Sequence, residues 1–161
     1  MNSGEIKTKV LHYWRFIRNG YNIVATEAGR FNSDVLVSSG HEIVECEVKI
    51  SLPDLKKEFY KKKHAIYLNP SKYYSQWIPN KFYFAIPESL LDKTIDICSD
   101  TPYGIILVSS EKFRRSKKVS YCKIIKKSAI LYKKFNDKLH KQIVMRESSE
   151  LIRLRIKANG G

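Results

Sequence analysis

Asp34-Val-Leu-Val-Ser-Ser-Gly40-His-Glu-Ile-Val-Glu45-Cys-Glu47-Val-Lys49 is the stretch from which the rest of the chain can be placed. An Asp is followed thirteen residues later by Glu-x-Lys. From Glu42 to Ile50 the residues alternate as in a strand. Ile43, Cys46, Val48 and Ile50 are expected largely on one side, with Val44 beside them, and Glu45, Glu47 and Lys49 on the other. Phe31 to Val37 predicts the strand before it, and Ser38-Ser-Gly-His41 the tight turn between the two. With Ser39-Gly40 as a two-residue turn, Asp34 falls opposite Glu45 and diagonal to Glu47. Carboxylates gathered on one patch of sheet repel one another unless a cation sits among them.

The flanking segments extend this reading in both directions. Asn2 or Ser3 can cap a first helix in which Ile6, Val10, Trp14 and Ile17 recur at helical spacing, ending near Asn19-Gly20. Tyr21 to Thr26 is rich in β-branched and aromatic residues and predicts a strand. Downstream, Ser51-Leu-Pro53-Asp54 opens a helix, with Ser as N-cap and Pro in the first turn. Leu52, Leu55 and Phe59 form its inner stripe, and Lys56, Lys57, Lys61, Lys62 and Lys63 are expected on its outer surface. A loop rich in Pro and Tyr follows over 69–80. Phe82 to Ile86 predicts a strand, Pro87-Glu88 opens a helix to about Ile97, and Gly104 to Val108 and Val119 to Ile125 predict further strands. From Ser128 to Lys157 the pattern is helical, with a candidate interruption at Ser148-Ser149. The class is α/β with a mixed sheet.

Charge divides the chain unevenly. Residues 1–110 hold 14 Lys/Arg against 12 Asp/Glu, and residues 111–161 hold 16 against four, within a formal net charge of +14 over 161 residues. A nearly neutral domain followed by a basic end is the asymmetry of a polyanion binder. The expected organisation is a core over 1–110 and a basic loop, strand and helical extension over 111–161, packed on or next to it. Cys46, Cys98 and Cys122 are widely spaced and odd in number, so neither a disulfide framework nor a zinc site follows. No apolar stretch approaches membrane length and the N-terminus lacks a signal pattern. The expectation is a soluble, cytoplasmic chain, nucleoid-associated or in host cytoplasm if of viral or mobile-element origin.

The residues on the polar side of the third strand suit one kind of chemistry. Hydrolysing a phosphodiester requires a neutralised phosphate, an activated water and a stabilised leaving oxygen. Mg²⁺ serves the first and last of these and prefers carboxylate and carbonyl oxygens, with Mn²⁺ able to replace it. Asp34 and Glu47 would supply two ligands and the Val48 carbonyl a third, with Glu45 as an auxiliary ligand or a partner for Lys49. Glu47 and Lys49, two apart on a strand, share a side, so Lys49 would face the attacking water and the developing charge. A Glu–Lys row is also ordinary decoration of a solvent-facing strand; the Asp34 spacing, the Lys-rich helix and the basic tail weigh toward catalysis.

These residues resemble the PD-(D/E)xK nuclease superfamily: Asp34-Val-Leu on one strand, Glu45-Cys-Glu47-Val-Lys49 on the next, and Ser51-Leu-Pro-Asp54-Leu at a helix start. Within it they are similar to small Holliday-junction resolvases and MmcB-like DNA-repair nucleases, over about residues 5–108. The resemblance implies a restriction-endonuclease-like α-β-β-β-α-β core, Asp34 and Glu47 as metal ligands and Lys49 as the catalytic lysine. The Pro-Asp dipeptide of the pattern is Ser33-Asp34 here. An added acid from the first helix is common in that group; Glu5 is a candidate, and fits a capping box with Asn2 equally well, while Glu27 competes for the role.

The activity so expected is a Mg²⁺-dependent endodeoxyribonuclease acting on branched or damaged DNA, in recombination or repair. A restriction-like or nicking nuclease, or a DNA-binding module without catalysis, are the alternatives. Lys56, Lys57, Lys61, Lys62 and Lys63 beside the site, and Arg114, Arg115, Lys117 and Lys118 in the basic loop, are the expected phosphate contacts. Tyr73, Tyr74 and Trp77 either stack on bases or pack their loop onto the domain. Resolvase-like nucleases are dimers because a four-way junction presents two symmetric cuts; a homodimer fits, and the chain alone leaves it open.

Overall fold

Six strands form a single mixed sheet in the order β1-β2-β3-β4-β5-β6 in this computed structural model, which describes residues 1–71, 73–115 and 118–159, with the side chains of Arg115 and Lys118 left aside. The elements run α1 (Ser3–His12), a π-helical turn (Tyr13–Ile17), β1 (Ile23–Ala28), β2 (Ser33–Ser38), β3 (Ile43–Val48), α2 (Leu52–Glu58), α3 (Lys62–Leu68), β4 (Lys81–Pro87), α4 (Leu91–Cys98), β5 (Gly104–Arg115), β6 (Lys118–Lys126) and α5 (Asp137–Ala158). β1, β2 and β3 form an antiparallel meander, β4 and β5 continue it in parallel, and β6 returns antiparallel. Parallel neighbours need crossover connections, which α2–α3 and α4 provide.

Helices cover both faces. α1 starts at a capping box in which Asn2 and Glu5 exchange side-chain and backbone hydrogen bonds. Ile6 and Val10 of α1, with Trp14 of the π-helical turn, pack on Val35, Val37, Val44, Cys46, Val48 and Ala85. On the other face Leu55, Ile66, Tyr67, Leu90 and Cys98 cover Phe82, Phe84, Ile86 and Ile105. Leu139 and Ile143 of α5 seal Ala25, Leu36 and Ile43 at the β1 edge of that face. Residue 110 falls inside β5, so one continuous sheet joins the nearly neutral and the basic parts of the chain. No described helix is long and apolar enough to cross a membrane.

Several expectations are corrected. The β2–β3 connection is four residues, not two: Ser38 pairs with Ile43, Leu36 with Glu45 and Val35 with Cys46. The Ser39 hydroxyl accepts the Glu42 amide at 3.0 Å and Gly40 takes φ 84°, so the loop closes on its own side chain. Asp34 therefore lies across from Glu47 rather than Glu45; the slip is even, and an even slip preserves faces. Ile43 lies on the carboxylate side, against Leu139 and Ile143, and Ile50 is exposed. The helix after Ser51 breaks into α2 and α3 at 59–61. Residues 128–136 are not helical, and α5 passes Ser148-Ser149 unbroken, their hydroxyls donating to the Val144 and Met145 carbonyls one turn back.

Candidate active site at the end of the sheet

All six residues of β3 are buried, so its polar alternate positions are not solvent-facing. Glu45, Glu47 and Lys49 are 1%, 3% and 4% exposed, roofed by α2 and α3. The break between those helices makes this possible. Leu55 and Glu58, three apart on α2, turn inward together, as do Lys63, Ile66 and Tyr67 on α3. Lys63, expected on the outer surface, is interior, with 2% of its surface exposed. Its ammonium meets Glu45 at 3.0 Å, Glu47 at 2.5 Å and Glu58 at 2.9 Å. Three partners cover the three donors of an ammonium.

Each carboxylate completes its contacts differently. Glu45 accepts the Tyr67 hydroxyl at 2.5 Å. Glu58, fully buried, forms ion pairs through Oε2 with Lys49 at 2.8 Å and Lys61 at 2.6 Å; these lie off the hydrogen-bonding directions of that oxygen. Through Oε1 it meets His64 Nε2 at 3.2 Å, while His64 Nδ1 lies 2.8 Å from the Tyr103 hydroxyl. With its proton on Nε2 the imidazole donates to Glu58 and accepts from Tyr103. Lys49 reaches Glu47 Oε2 only at 3.6 Å and Asp54 at 3.7 Å.

Asp34 sits at the open end of this group. Its Oδ2 accepts the Val48 amide at 2.8 Å, fixing it to the end of β3, and its Oδ1 meets Lys7 of α1 at 2.8 Å. Lys7 also pairs with Glu27, whose second oxygen accepts from Asn32 Nδ2 at 2.8 Å. Glu27 and Asn32 have φ 49° and 52°, a left-handed backbone uncommon for residues other than glycine, in the turn around Gly29.

The charges decide the titration. Burial pushes the Glu47 carboxyl up to about 7, reinforced by Glu45, Glu58 and Asp34 and opposed by Lys63. Burial would also raise Glu58, yet His64, Lys63, Lys49 and Lys61 hold it far below the usual carboxylate range. For Lys49 and Lys63 burial works toward deprotonation and loses to the acids, so both ammonium groups are held charged. Six acidic side chains (Glu27, Asp34, Glu45, Glu47, Asp54, Glu58) face four ammonium groups (Lys7, Lys49, Lys61, Lys63), so acids outnumber bases here within a chain of net +14, and Glu47 is the one held toward protonation.

The expected site residues thus divide. Asp34, Glu47 and Lys49 come together at the carboxyl ends of β3 and β4, where open α/β sheets place their ligand sites. Glu27 joins through Lys7, and Glu45 lies one position deeper. Glu5 is engaged in the α1 cap instead, and Val48 enters through its amide. Lys56, Lys57 and Lys62 are exposed, Lys61 is drawn to Glu58, and Lys63 is interior. Arg114 is exposed, whereas Lys117 and the side chains of Arg115 and Lys118 lie outside the described residues. Tyr73 is 83% exposed, Tyr74 packs partly against the second core, and Trp77 lies between Arg30 and Lys138.

Lys7, Glu58 and Tyr67 join the site without being named by the sequence reading, and Lys63, read there as a phosphate contact, turns inward instead. One signal for Lys63 was present: it stands three and four residues before Ile66 and Tyr67, on the apolar stripe of its own helix.

No protein-family model matches the sequence, and no curated protein matches it. A solved structure does: the SPO1766 protein of unknown function from Silicibacter pomeroyi, with TM-score 0.68 and 14% identity, covering 100% of this chain and 97% of that one. At that identity the likeness is one of fold.

Proposed function

We propose that the chain is a metal-dependent nuclease of PD-(D/E)xK type that hydrolyses phosphodiester bonds in DNA, with branched or damaged DNA as substrate. The observation that carries the reading is Asp34 facing Glu47 across β2 and β3, with Lys49 next on the same side of the strand. The element order α-β-β-β-α-β, with a meander followed by a parallel strand, agrees with such a core. The basic surface of the chain supplies attraction for the polyanion.

The side chains suit a divalent cation in kind, although among the described residues no three acidic, His or Cys groups already stand together as a metal cluster. Their oxygens are hard donors, and Glu47 is held toward protonation first by its burial and then by the acids around it. Asp34 and Glu47 would hold the ion, with Glu27 beside them. Bound there, Mg²⁺ or Mn²⁺ would neutralise the phosphate and acidify an attacking water. Lys7 and Lys63 now cover the oxygens concerned and would have to share them. Lys49, kept charged and oriented by Glu58, supplies a fixed positive charge. A homodimer suits a two-fold symmetric junction, and the distal half of α5 offers exposed Leu151, Ile152, Leu154 and Ile156 for it.

A second reading, a nucleic-acid-binding module without cleavage, is favoured by one fact: Lys49 is 4% exposed and every nearby carboxylate already has a cationic partner. Labelled four-way junction, splayed-arm, single-stranded and linear duplex DNA, incubated with Mg²⁺, Mn²⁺ or EDTA, separate the two. Metal-dependent cutting that falls at least a hundredfold in Asp34→Asn, Glu47→Ala and Lys49→Ala establishes the nuclease, and junction preference separates it from a restriction-like or nicking enzyme. Tight binding without cutting in either metal leaves the module.

A further inference from the structure

On the α1 face of the sheet, away from the carboxylates, a groove of about 640 Å³ opens between the π-helical turn and the β5–β6 hairpin. Both walls are irregular. On one side α1 widens into five π-helical residues, and Tyr13 and Ile17 from that turn line the groove. On the other, the β5–β6 register shifts between Val108 and Phe113, and Phe113 and Arg114, just past the shift, are among the residues lining the groove. π-helical turns and β-bulges interrupt good hydrogen bonding and are found next to functional sites more often than elsewhere. Here one of each frames the same cavity.

The chemistry of the lining is one-sided. Arg18, Arg114 and Lys123 are among the lining residues, all exposed, and among the described residues no acidic residue lines the groove. Phe113 is half-buried in the wall, and Cys122 and Ile124 form an apolar floor. Just outside, Phe16 is 64% exposed, with Arg15 over its ring at 5.2 Å and His12 beside it at 5.3 Å. Cations for phosphates alternating with π-faces for bases is the composition of a single-strand track. A cavity of this size takes one nucleotide-sized unit and not a paired helix.

We propose that this groove binds an unpaired nucleic-acid strand, with its phosphates held by Arg18, Arg114 and Lys123 and a base laid against Phe113. The proposal rests on the nucleic-acid part of the preceding reading and not on cleavage. The groove lies three strands from β3, about 14 Å across the sheet. A strand leaving the carboxylate site over the end of the sheet would reach it within a few nucleotides, and branched DNA offers such unpaired segments.

Anisotropy of a labelled oligothymidine and of a hairpin duplex of equal length, in EDTA and across a salt series, tests it. The Arg18→Glu/Lys123→Glu protein is expected to bind oligothymidine at least tenfold more weakly. Its salt dependence should be shallower by about 1.4 in log–log slope, two phosphate contacts on a single strand. Phe113→Ala should lose about tenfold through stacking. Lys56→Glu/Lys57→Glu, on the opposite face, should change oligothymidine binding less than twofold. Arg114→Gln, a single neutral change in the lining, repeats the measurement should the double variant lose its fold.

Unchanged oligothymidine affinity in the charge variants and in Phe113→Ala overturns the proposal, and so does equal weakening for the duplex. The outcomes separate cleanly from the nuclease question. Cleavage by the wild type with no effect of the groove variants sinks the groove alone. Loss of oligothymidine binding in the variants of a chain that never cuts upholds the groove and sinks the nuclease.

Discussion

On the α1 side of β3, Val44, Cys46 and Val48 meet Ile6, Val10 and Trp14; on the other side Glu45, Glu47 and Lys49 are as deeply buried but meet Lys63, Glu58 and Tyr67. The two sides of one strand are sealed equally well by different physics. Apolar contacts are short-ranged and forgiving, and losing one leaves a hole. The ionic side takes several charges out of water and recovers that cost only through its ion pairs, so removing a shared cation strands the acids around it. An apolar layer would serve stability as well, and strongly perturbed titratable groups concentrate at functional sites. The contrast is the reason for reading the polar side of β3 as a site.

The sharpest way to break the comparison is Lys63→Met, which leaves Glu45, Glu47 and Glu58 facing one another. It should cost about 3–5 kcal/mol in urea unfolding; a loss below about 1 kcal/mol would mean that the acids are already neutral. On the apolar side, Ile6→Ala should cost about 2–4 kcal/mol, with the same loss at about pH 5 and pH 8, because burial keeps the thiols of its cluster, Cys46 and Cys122, protonated.

Glu47→Gln works on the ionic side in the opposite direction. The folded carboxyl titrates near 7, above its unfolded value, so the native state binds the proton more tightly. Its contribution is fully present below the ordinary Glu range and is lost as pH rises through about 7. The variant should therefore be more stable than wild type at pH 8, by on the order of 2 kcal/mol, with the gain vanishing toward pH 4. A flat difference across that range would show that Lys63 already neutralises Glu47. Smallest of all, Asn2→Ala should cost about 1 kcal/mol by opening the α1 cap. Glu5→Gln should leave any DNA cleavage unchanged, since Glu5 serves that cap.

Much of the architecture could be read from local pattern. The stripe of Ile6, Val10 and Trp14, the period of two through Glu45-Cys46-Glu47, and the Ser51-x-Pro53 helix start all report through near neighbours, where helical and strand periods act. The side of β3 carrying Asp34's partners also survived a wrong turn length, because a two-residue slip keeps the face. What stayed hidden depends on contacts distant in sequence. A run of lysines over 61–63 reads as a solvated surface, and which of them turns inward is set by a helix break and by acids on β3 sixteen or more residues away. Lys7 meets Asp34 and Glu27 only once α1 lies across the sheet. No local period encodes that crossing.

The indole of Trp14 lies behind the strand that carries the carboxylates and donates to the Cys46 thiol at 3.3 Å. A thiol at that distance quenches, so the emission of this buried ring registers any shift of β3 relative to α1. Trp77, against Arg30 and Lys138 on the loop before β4, offers a second and separately placed fluorophore. The molecule thus carries its own optical gauge on the back of the site, readable without label when a cation or a strand binds in front.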